Sequence, residues 1–209
     1  MLNQNLAVTK ALTELDAALP DDFPIIELKI VGGYALQLTA IRTDENDITD
    51  LDYIGPSFPH GYSELINEIG LKHKLANGWI NNDVVYADNW LEIIEHTTGP
   101  LKFDQIPTQL KHFQVSVIDG ESALRMKLAA LDDQFITYLD DGEVVRFRDL
   151  PDIALLCEKL DESAIKRAVA QVDLMERWAV ERALFKLRSG ITPLQILPQV
   201  RAEWLAVQS

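Results

Sequence analysis

The sequence predicts an α+β (mixed α/β) fold: a small mixed sheet flanked by helices, followed by a mostly helical part. Up to about residue 118, short apolar runs with β-type alternation are interspersed with helical patterns. From Glu121 onward, apolar residues recur at helical spacing. No Ser/Gly linker separates the two sections, so we expect residues 1–118 and residues 119–209 to form two domains packed together.

The first part begins with an amphipathic helix from about Leu6 to Leu19. "IIELKIVG" is a predicted strand that Gly32-Gly33 ends, "YALQLTA" a short helix, "TDLDYIG" a second strand and "SELINEIGLKHKL" a helix. Four further runs are strand candidates: "WINNDVVYA", "WLEIIEH", "LKFDQI" and "FQVSVI".

The second part contains four helical stretches: "ESALRMKLAALDD", "LPDIALLCEKL", "ESAIKRAVAQVDLMERWAVERALFKLRSG" and "TPLQILPQVRAEWLAV". Pro151 and Pro193 fall at predicted helix starts, where the missing N–H costs nothing. Gly190 suits a helix C-terminus.

Composition narrows the function classes. The 209-residue chain carries a net charge of −14, which argues against broad nonspecific binding to nucleic acid, although a local basic patch stays open. Its single cysteine, Cys157, precludes an internal disulfide and is typical of a small core residue. No apolar run is long enough to span a membrane, so a cytoplasmic location is expected.

Gly32 and Gly33 follow a predicted strand and precede a predicted helix. Glycine lets the backbone approach a ligand closely, and a helix start presents N–H groups to an anion. The pair also fits an ordinary turn, because the longer fingerprints of a P-loop or a dinucleotide site are absent.

Asp50 and Asp52 lie two residues apart along a predicted strand, so both point to the same face. Two carboxylates there repel each other unless a cation lies between them or water solvates them. Mg²⁺ is the natural cation, because it takes oxygen ligands and leaves room for substrate phosphates. The alternative is a solvated acidic loop, and these residues alone leave both interpretations open.

Lys127 lies in a predicted helix, and Asp149 follows 22 positions later (149 − 127) at the start of another. Each also has an ordinary interpretation, as a surface lysine and as a favourable acid at a helix N-terminus. Their spacing by itself does not demand a site.

Together, these segments resemble a known family. "VGGYALQL…RT…TDLDYIG" is similar to the glycine pair and Asp-x-Asp signature of the nucleotidyltransferase (DNA polymerase β-like) superfamily. "ALRMKLAAL…VVRFRDLPDIALL" resembles the lysine helix and Arg-Asp-Leu-x-Asp element of AbiEii-type bacterial proteins, which are often toxins of toxin–antitoxin pairs. The resemblance spans roughly residues 28–160 and implies a nucleotidyltransferase-like fold for the first part.

The resemblance implies that Gly32 and Gly33 hold nucleotide phosphates, while Asp50 and Asp52 ligate Mg²⁺, with Mn²⁺ as a substitute. The metal would bridge the phosphates and neutralise charge during transfer.

The resemblance also implies roles outside the metal site. Lys127 would neutralise phosphate charge, and Asp149 would complete the site as an acid–base or orienting carboxylate. Arg42 and Thr43 are similar to the Arg-x-Thr element that leads into the acidic pair.

The chain departs from the family pattern at three places. Tyr34 replaces the serine that usually follows the glycines, and "DENDI" separates Thr43 from the acidic pair. The third carboxylate of the superfamily is unassigned, with Asp83 and Asp104 as candidates.

We therefore expect a Mg²⁺-dependent enzyme that moves a nucleotidyl group from an NTP to an RNA, protein or small-molecule acceptor. Such an enzyme could be the toxin partner of an antitoxin protein. The alternative is a non-catalytic nucleotide-binding or partner-binding module of the same fold, which the departures favour.

Overall fold

The computed structural model describes residues 6–43, 48–82, 95–141 and 149–208. The chain divides into two compact units, one formed by Met1–Ile93 with Leu101–Asp119 and the other by Ile94–Pro100 with Gly120–Ser209. The fold is mixed α and β, as the sequence predicts. Segment Ile94–Pro100 belongs to the second unit, which the sequence pattern did not indicate.

The first unit contains the sheet. Its helices are α1 (Ala7–Ala18), α2 (Gly32–Leu38) and α3 (Ser63–Lys72), and its strands are β1 (Ile26–Val31), β2 (Leu51–Ile54), β3 (Ile80–Asn81), β4 (Phe103–Gln105) and β5 (Phe113–Ile118). The strand order is β3-β2-β1-β5-β4. Strand β1 is antiparallel to β2 and parallel to β5, while β2 is parallel to β3 and β4 is antiparallel to β5.

The two faces of the sheet differ in chemistry, because side chains alternate along each strand. One face, here called the core face, carries fully buried apolar residues: Leu28, Ile30, Leu51, Tyr53, Val115 and Val117. The register places polar residues on the opposite face, here called the polar face: Glu27, Lys29, Asp52, Gln105, Gln114 and Ser116. Helix α2 contacts β1, β2 and β5, so the sheet fixes the position of the glycines that begin it.

The second unit is helical. It contains α4 (Gly120–Asp141), α5 (Asp149–Lys159), α6 (Glu162–Gln171), α7 (Arg177–Arg188) and α8 (Pro193–Gln208). Helix α4 contacts all four others through a buried stripe at helical spacing: Leu124, Leu128, Leu131 and Phe135.

A buried arginine attaches segment Ile94–Pro100 to α4. The Arg125 guanidinium, 3% exposed, donates to the carbonyls of Thr98 and Pro100 at 2.7 and 2.8 Å. These bonds satisfy backbone oxygens at the end of the helical turn formed by residues 95–98, which would otherwise lack an intrahelical partner.

Two predictions of local structure were wrong. Of "WLEIIEH", residues 90–94 lie outside the described part, and residues 95 and 96 are helical rather than extended. The predicted single helical stretch from residue 162 to 190 is two helices, because the chain between Gln171 and Arg177 leaves helical geometry. Gly190 follows α7 with φ +81°, the left-handed conformation expected at a helix C-terminus.

No helix in the described ranges is long and apolar enough to cross a membrane.

Candidate functional site

Asp52 lies in the middle of β2 and is half-buried, whereas its neighbours Leu51 and Tyr53 are fully buried on the core face. Its register partner on β1 is Val31, the last residue before the glycine pair. The carboxylate therefore lies on the polar face, beside the point where the chain turns from β1 into α2.

Asp50 is held by the backbone on both sides. The Thr49 carbonyl accepts a hydrogen bond from Ala76 N at 2.9 Å, and Leu51 N donates to the Trp79 carbonyl. Strand β2 begins only at Leu51, so Asp50 lies just before the strand, and the prediction that it lies on the strand with Asp52 was wrong.

The Asp52 carboxylate lies directly over the backbone of Gly32. A Cβ at position 32 would be 2.6 Å from Asp52 Oδ2, and Gly32 also has φ +68°. Glycine is therefore required there for two reasons, the left-handed conformation and the close approach of an acidic side chain.

Arg42 reaches the second glycine. A Cβ at position 33 would stand 3.3 Å from Arg42 Nη1 and 2.5 Å from Ile48 Cδ1. The turn after α2 makes this possible, since the amides of Ile41 and Arg42 both donate to the Leu36 carbonyl at 2.9 Å. The next residue, Thr43, is exposed.

We call the group formed by Gly32, Gly33, Arg42 and Asp52 the glycine cradle. In this group the Asp52 carboxylate lies against Gly32, and the Arg42 guanidinium lies near the next residue, Gly33. Such a pair can face a metal ion and a phosphate oxygen at the same time. The structure thus brings together four of the eight sequence-predicted site residues, with Asp50 next to them.

Tyr34 belongs to the core. Its side chain is 1% exposed, and its hydroxyl pairs with Thr9 Oγ1 at 2.6 Å. Burial raises the pKa of Tyr34 to about 12. The residue after the glycine pair therefore directs its hydroxyl to α1 and not to the glycine turn.

Of the two candidates for a third carboxylate, Asp104 and Asp83, only Asp104 lies within the described residues. Asp104 pairs with Val117 on the core-face side of β4, the opposite face from Asp52. Strand β4 is three strands from β2, or about 14 Å at the usual spacing, so Asp104 is excluded as a ligand beside Asp52. Asp83 lies outside the described residues. The register partner of Asp52 on β3 is Asn81, an amide.

Lys127 and Asp149 are brought together in the second unit. Lys127 Nζ lies 2.6 Å from Asp149 Oδ1 and 3.0 Å from Asp152 Oδ2, and all three side chains are at most 18% exposed. Gln134, two turns after Lys127 on α4, donates from Nε2 to Asp149 Oδ2 at 2.8 Å. We call Lys127, Gln134, Asp149 and Asp152 the lysine cluster.

The electrostatics of the lysine cluster keep the ammonium charged. Burial would lower the pKa of Lys127, but the charges of Asp149 and Asp152 and their hydrogen bonds outweigh it and raise the pKa above its usual value. Both acids lie in the first turn of α5, where the helix dipole favours negative charge.

The sequence prediction missed Asp152 and Gln134. A signal for Asp152 was present, because it lies three residues after Asp149 and such residues share a helix face. Gln134 gave no signal, since its role depends on how α4 packs against α5.

The donor set of the first unit fits Mg²⁺ or Mn²⁺ held jointly with a nucleotide. Within the described ranges, no three His, Cys, Asp or Glu side chains are grouped as an all-protein metal site requires. Asp50 and Asp52 supply two carboxylates, and Mg²⁺ commonly takes its remaining ligands from water and substrate phosphates.

Cys157 has no sign of a nucleophile. Its thiol is half-buried, and burial raises its pKa to about 11, so the reactive thiolate is disfavoured at neutral pH.

No family model, curated protein or solved structure matches this chain.

Proposed function

We propose that the protein is a Mg²⁺-dependent nucleotidyltransferase that moves a nucleotidyl group from an NTP to an acceptor hydroxyl. The observation that carries the proposal is the glycine cradle, in which the Asp52 carboxylate and the Arg42 guanidinium cover adjacent glycines at the end of a strand. The resemblance to the nucleotidyltransferase superfamily, which rests on the same residues, points to the same conclusion.

In the reaction, the acceptor hydroxyl loses its proton to water and its oxygen attacks the α-phosphorus, the bond to the oxygen that bridges the α- and β-phosphates breaks, and pyrophosphate leaves. Asp50 and Asp52 would hold the metal, which when bound neutralises charge on the phosphates. Arg42 would donate to a phosphate oxygen beside Gly33. The work of this site is positioning and charge neutralisation.

Lys127 and Asp149 belong to the second unit, and the proposed chemistry of the glycine cradle does not depend on them. The 2.6 Å ion pair between them fixes the position of a flexible lysine. The second acid at 3.0 Å, Asp152, gives the same ammonium a second support.

The test is transfer from labelled NTPs in the presence of Mg²⁺, with candidate RNA, protein and small-molecule acceptors. Asp50→Ala and Asp52→Ala should abolish transfer. The matched control is Glu68→Ala, which removes an exposed carboxylate from α3 and should leave transfer unchanged. Absence of any NTP binding by the wild-type protein would refute the proposal.

A non-catalytic nucleotide-binding module is the second candidate. Three observations favour it: the hydroxyl of Tyr34 is used by Thr9, Asp52 faces the amide of Asn81, and Lys127 is held by two acids. Calorimetry with ATP and Mg²⁺ separates the candidates. Metal-dependent binding without transfer to any acceptor would favour the module.

The toxin–antitoxin setting rests on the resemblance alone. Expression with neighbouring genes tests it, because an antitoxin should co-purify and relieve growth arrest. If the wild-type protein arrests growth and the Asp52→Ala variant does not, the toxic activity depends on the proposed metal-binding residue.

A further inference from the structure

A pocket of about 320 Å³ opens on the polar face of the sheet. Side chains from three strands line it: Glu27 and Lys29 from β1, Phe103 and Gln105 from β4, and Gln114 and Ser116 from β5. Its size falls in the range of small-molecule sites.

The strand register fixes where the pocket lies relative to Asp52. Lys29 is level with Ser116, and Ser116 is level with Gln105, so these three side chains form one row on the polar face. Asp52 is opposite Val31, two residues beyond Lys29. Asp52 and Lys29 are therefore diagonal neighbours on one face, with Cα atoms about 7–8 Å apart. The pocket therefore lies on the same face of the sheet as Asp52.

Ser116 is the unusual member of the lining. Its Oγ is shielded from solvent and has no hydrogen-bond partner within the described part of the chain. Such a group costs about 1–3 kcal/mol, so it calls for an explanation. A bound ligand with a hydrogen-bond donor or acceptor next to Ser116 Oγ would satisfy this hydroxyl.

The charge of the pocket argues against phosphate as its ligand. Lys29 Nζ lies 3.7 Å from Glu27 Oε2, so the single cation is offset by an acid. The rest of the lining is two amides, a hydroxyl, the half-buried ring of Phe103 and the buried residue Val115. A planar heterocycle with donors and acceptors on its edge matches this set, since bases stack on aromatic rings and pair with polar side chains.

We propose that this pocket is a nucleobase subsite, and the inference rests on the proposed function. The base has two sources, the NTP itself or the terminal nucleotide of a nucleic-acid acceptor. The chemistry of recognition is the same for both, and the experiment separates them.

The two variants are Ser116→Ala and Gln114→Ala. Ser116→Ala removes the unsatisfied hydroxyl and should leave the protein equally or more stable, while Gln114 is exposed and its truncation is safe for folding. The control is Gln171→Ala, which removes an exposed glutamine from α6.

Calorimetric titrations compare four Mg²⁺-NTPs, Mg²⁺-tripolyphosphate, which has no base, and the four nucleosides, which have no phosphate. If the NTP supplies the base, each variant weakens NTP and nucleoside binding by about three- to tenfold and leaves tripolyphosphate binding unchanged. If the acceptor supplies it, NTP affinity stays constant and the KM for a short single-stranded RNA acceptor rises by a similar factor.

The inference is overturned if both variants bind NTPs, nucleosides and the RNA acceptor as the wild-type protein does. Failure of the proposed function has a different signature. In that case the wild-type protein shows no binding of NTP or tripolyphosphate that depends on Asp52. The result with the nucleosides does not alter this conclusion.

Discussion

The carboxylate of Asp52 lies so close to Gly32 that a methyl group at position 32 would stand 2.6 Å from Oδ2. This contact joins the strand that carries the acidic pair to the turn that carries the glycines. It means that the two sequence motifs form one structural group.

Gly32→Ala should therefore destabilise the protein through two effects. The left-handed backbone costs a non-glycine residue about 1–2 kcal/mol, and the contact with Asp52 adds to this. Gly78→Ala isolates the first effect, because Gly78 has nearly the same φ, +65°, with nothing within 4 Å of a Cβ. Urea unfolding measures both. Equal losses would show that Asp52 moves aside freely, and the double change Gly32→Ala/Asp52→Ala should recover the difference.

Lys127→Met should lower the free energy of unfolding by about 3–5 kcal/mol, because it leaves two largely buried carboxylates without their cation. Lys166→Met is the matched control, since Lys166 is 74% exposed and forms an i,i+4 pair with Glu162 that contributes well under about 1 kcal/mol. If Lys127→Met proved as mild as the control, the lysine cluster would not stabilise the second unit.

Tyr34→Phe should change the response of stability to alkaline pH. The pKa of Tyr34 is raised from 10.0 to about 12 in the folded state. The contribution of its protonated hydroxyl to the free energy of unfolding is therefore fully present below pH 10 and is lost as pH rises towards about 12. The stability difference between the wild-type protein and the variant should shrink over that window. At neutral pH the variant should lose about 1 kcal/mol from the bond to Thr9. A difference independent of pH would contradict the shift.

Asp132→Ala should destabilise the second unit by about 2–3 kcal/mol, because the buried carboxylate accepts from the amides of Met175 and Glu176 at 2.8 and 2.7 Å just before α7. Its exposed neighbour provides the control, and Asp133→Ala should change stability by less than about 0.5 kcal/mol. Thermal unfolding of the two variants compares them directly.

Local patterns were sufficient for the parts of the fold that depend on neighbouring residues. Alternation in "IELKIV" and "FQVSVI" predicted β1 and β5, and helical spacing predicted α1, α3 and α4. The same patterns failed between Gln171 and Arg177, where apolar spacing continues through a break that Asp132 stabilises from another helix. A contact over more than forty residues leaves no periodic signal in either segment.

The candidate site shows the same division. The sequence by itself determined that Gly32 and Gly33 end a strand and that acids begin α5, because these follow from φ preferences and helix dipoles. Only the tertiary structure decided that Asp52 covers Gly32, that Lys127 meets both Asp149 and Asp152, and that Asp104 lies three strands away. The physical reason is that strand order and helix packing are set by burial of the whole apolar surface, which no short stretch of sequence encodes.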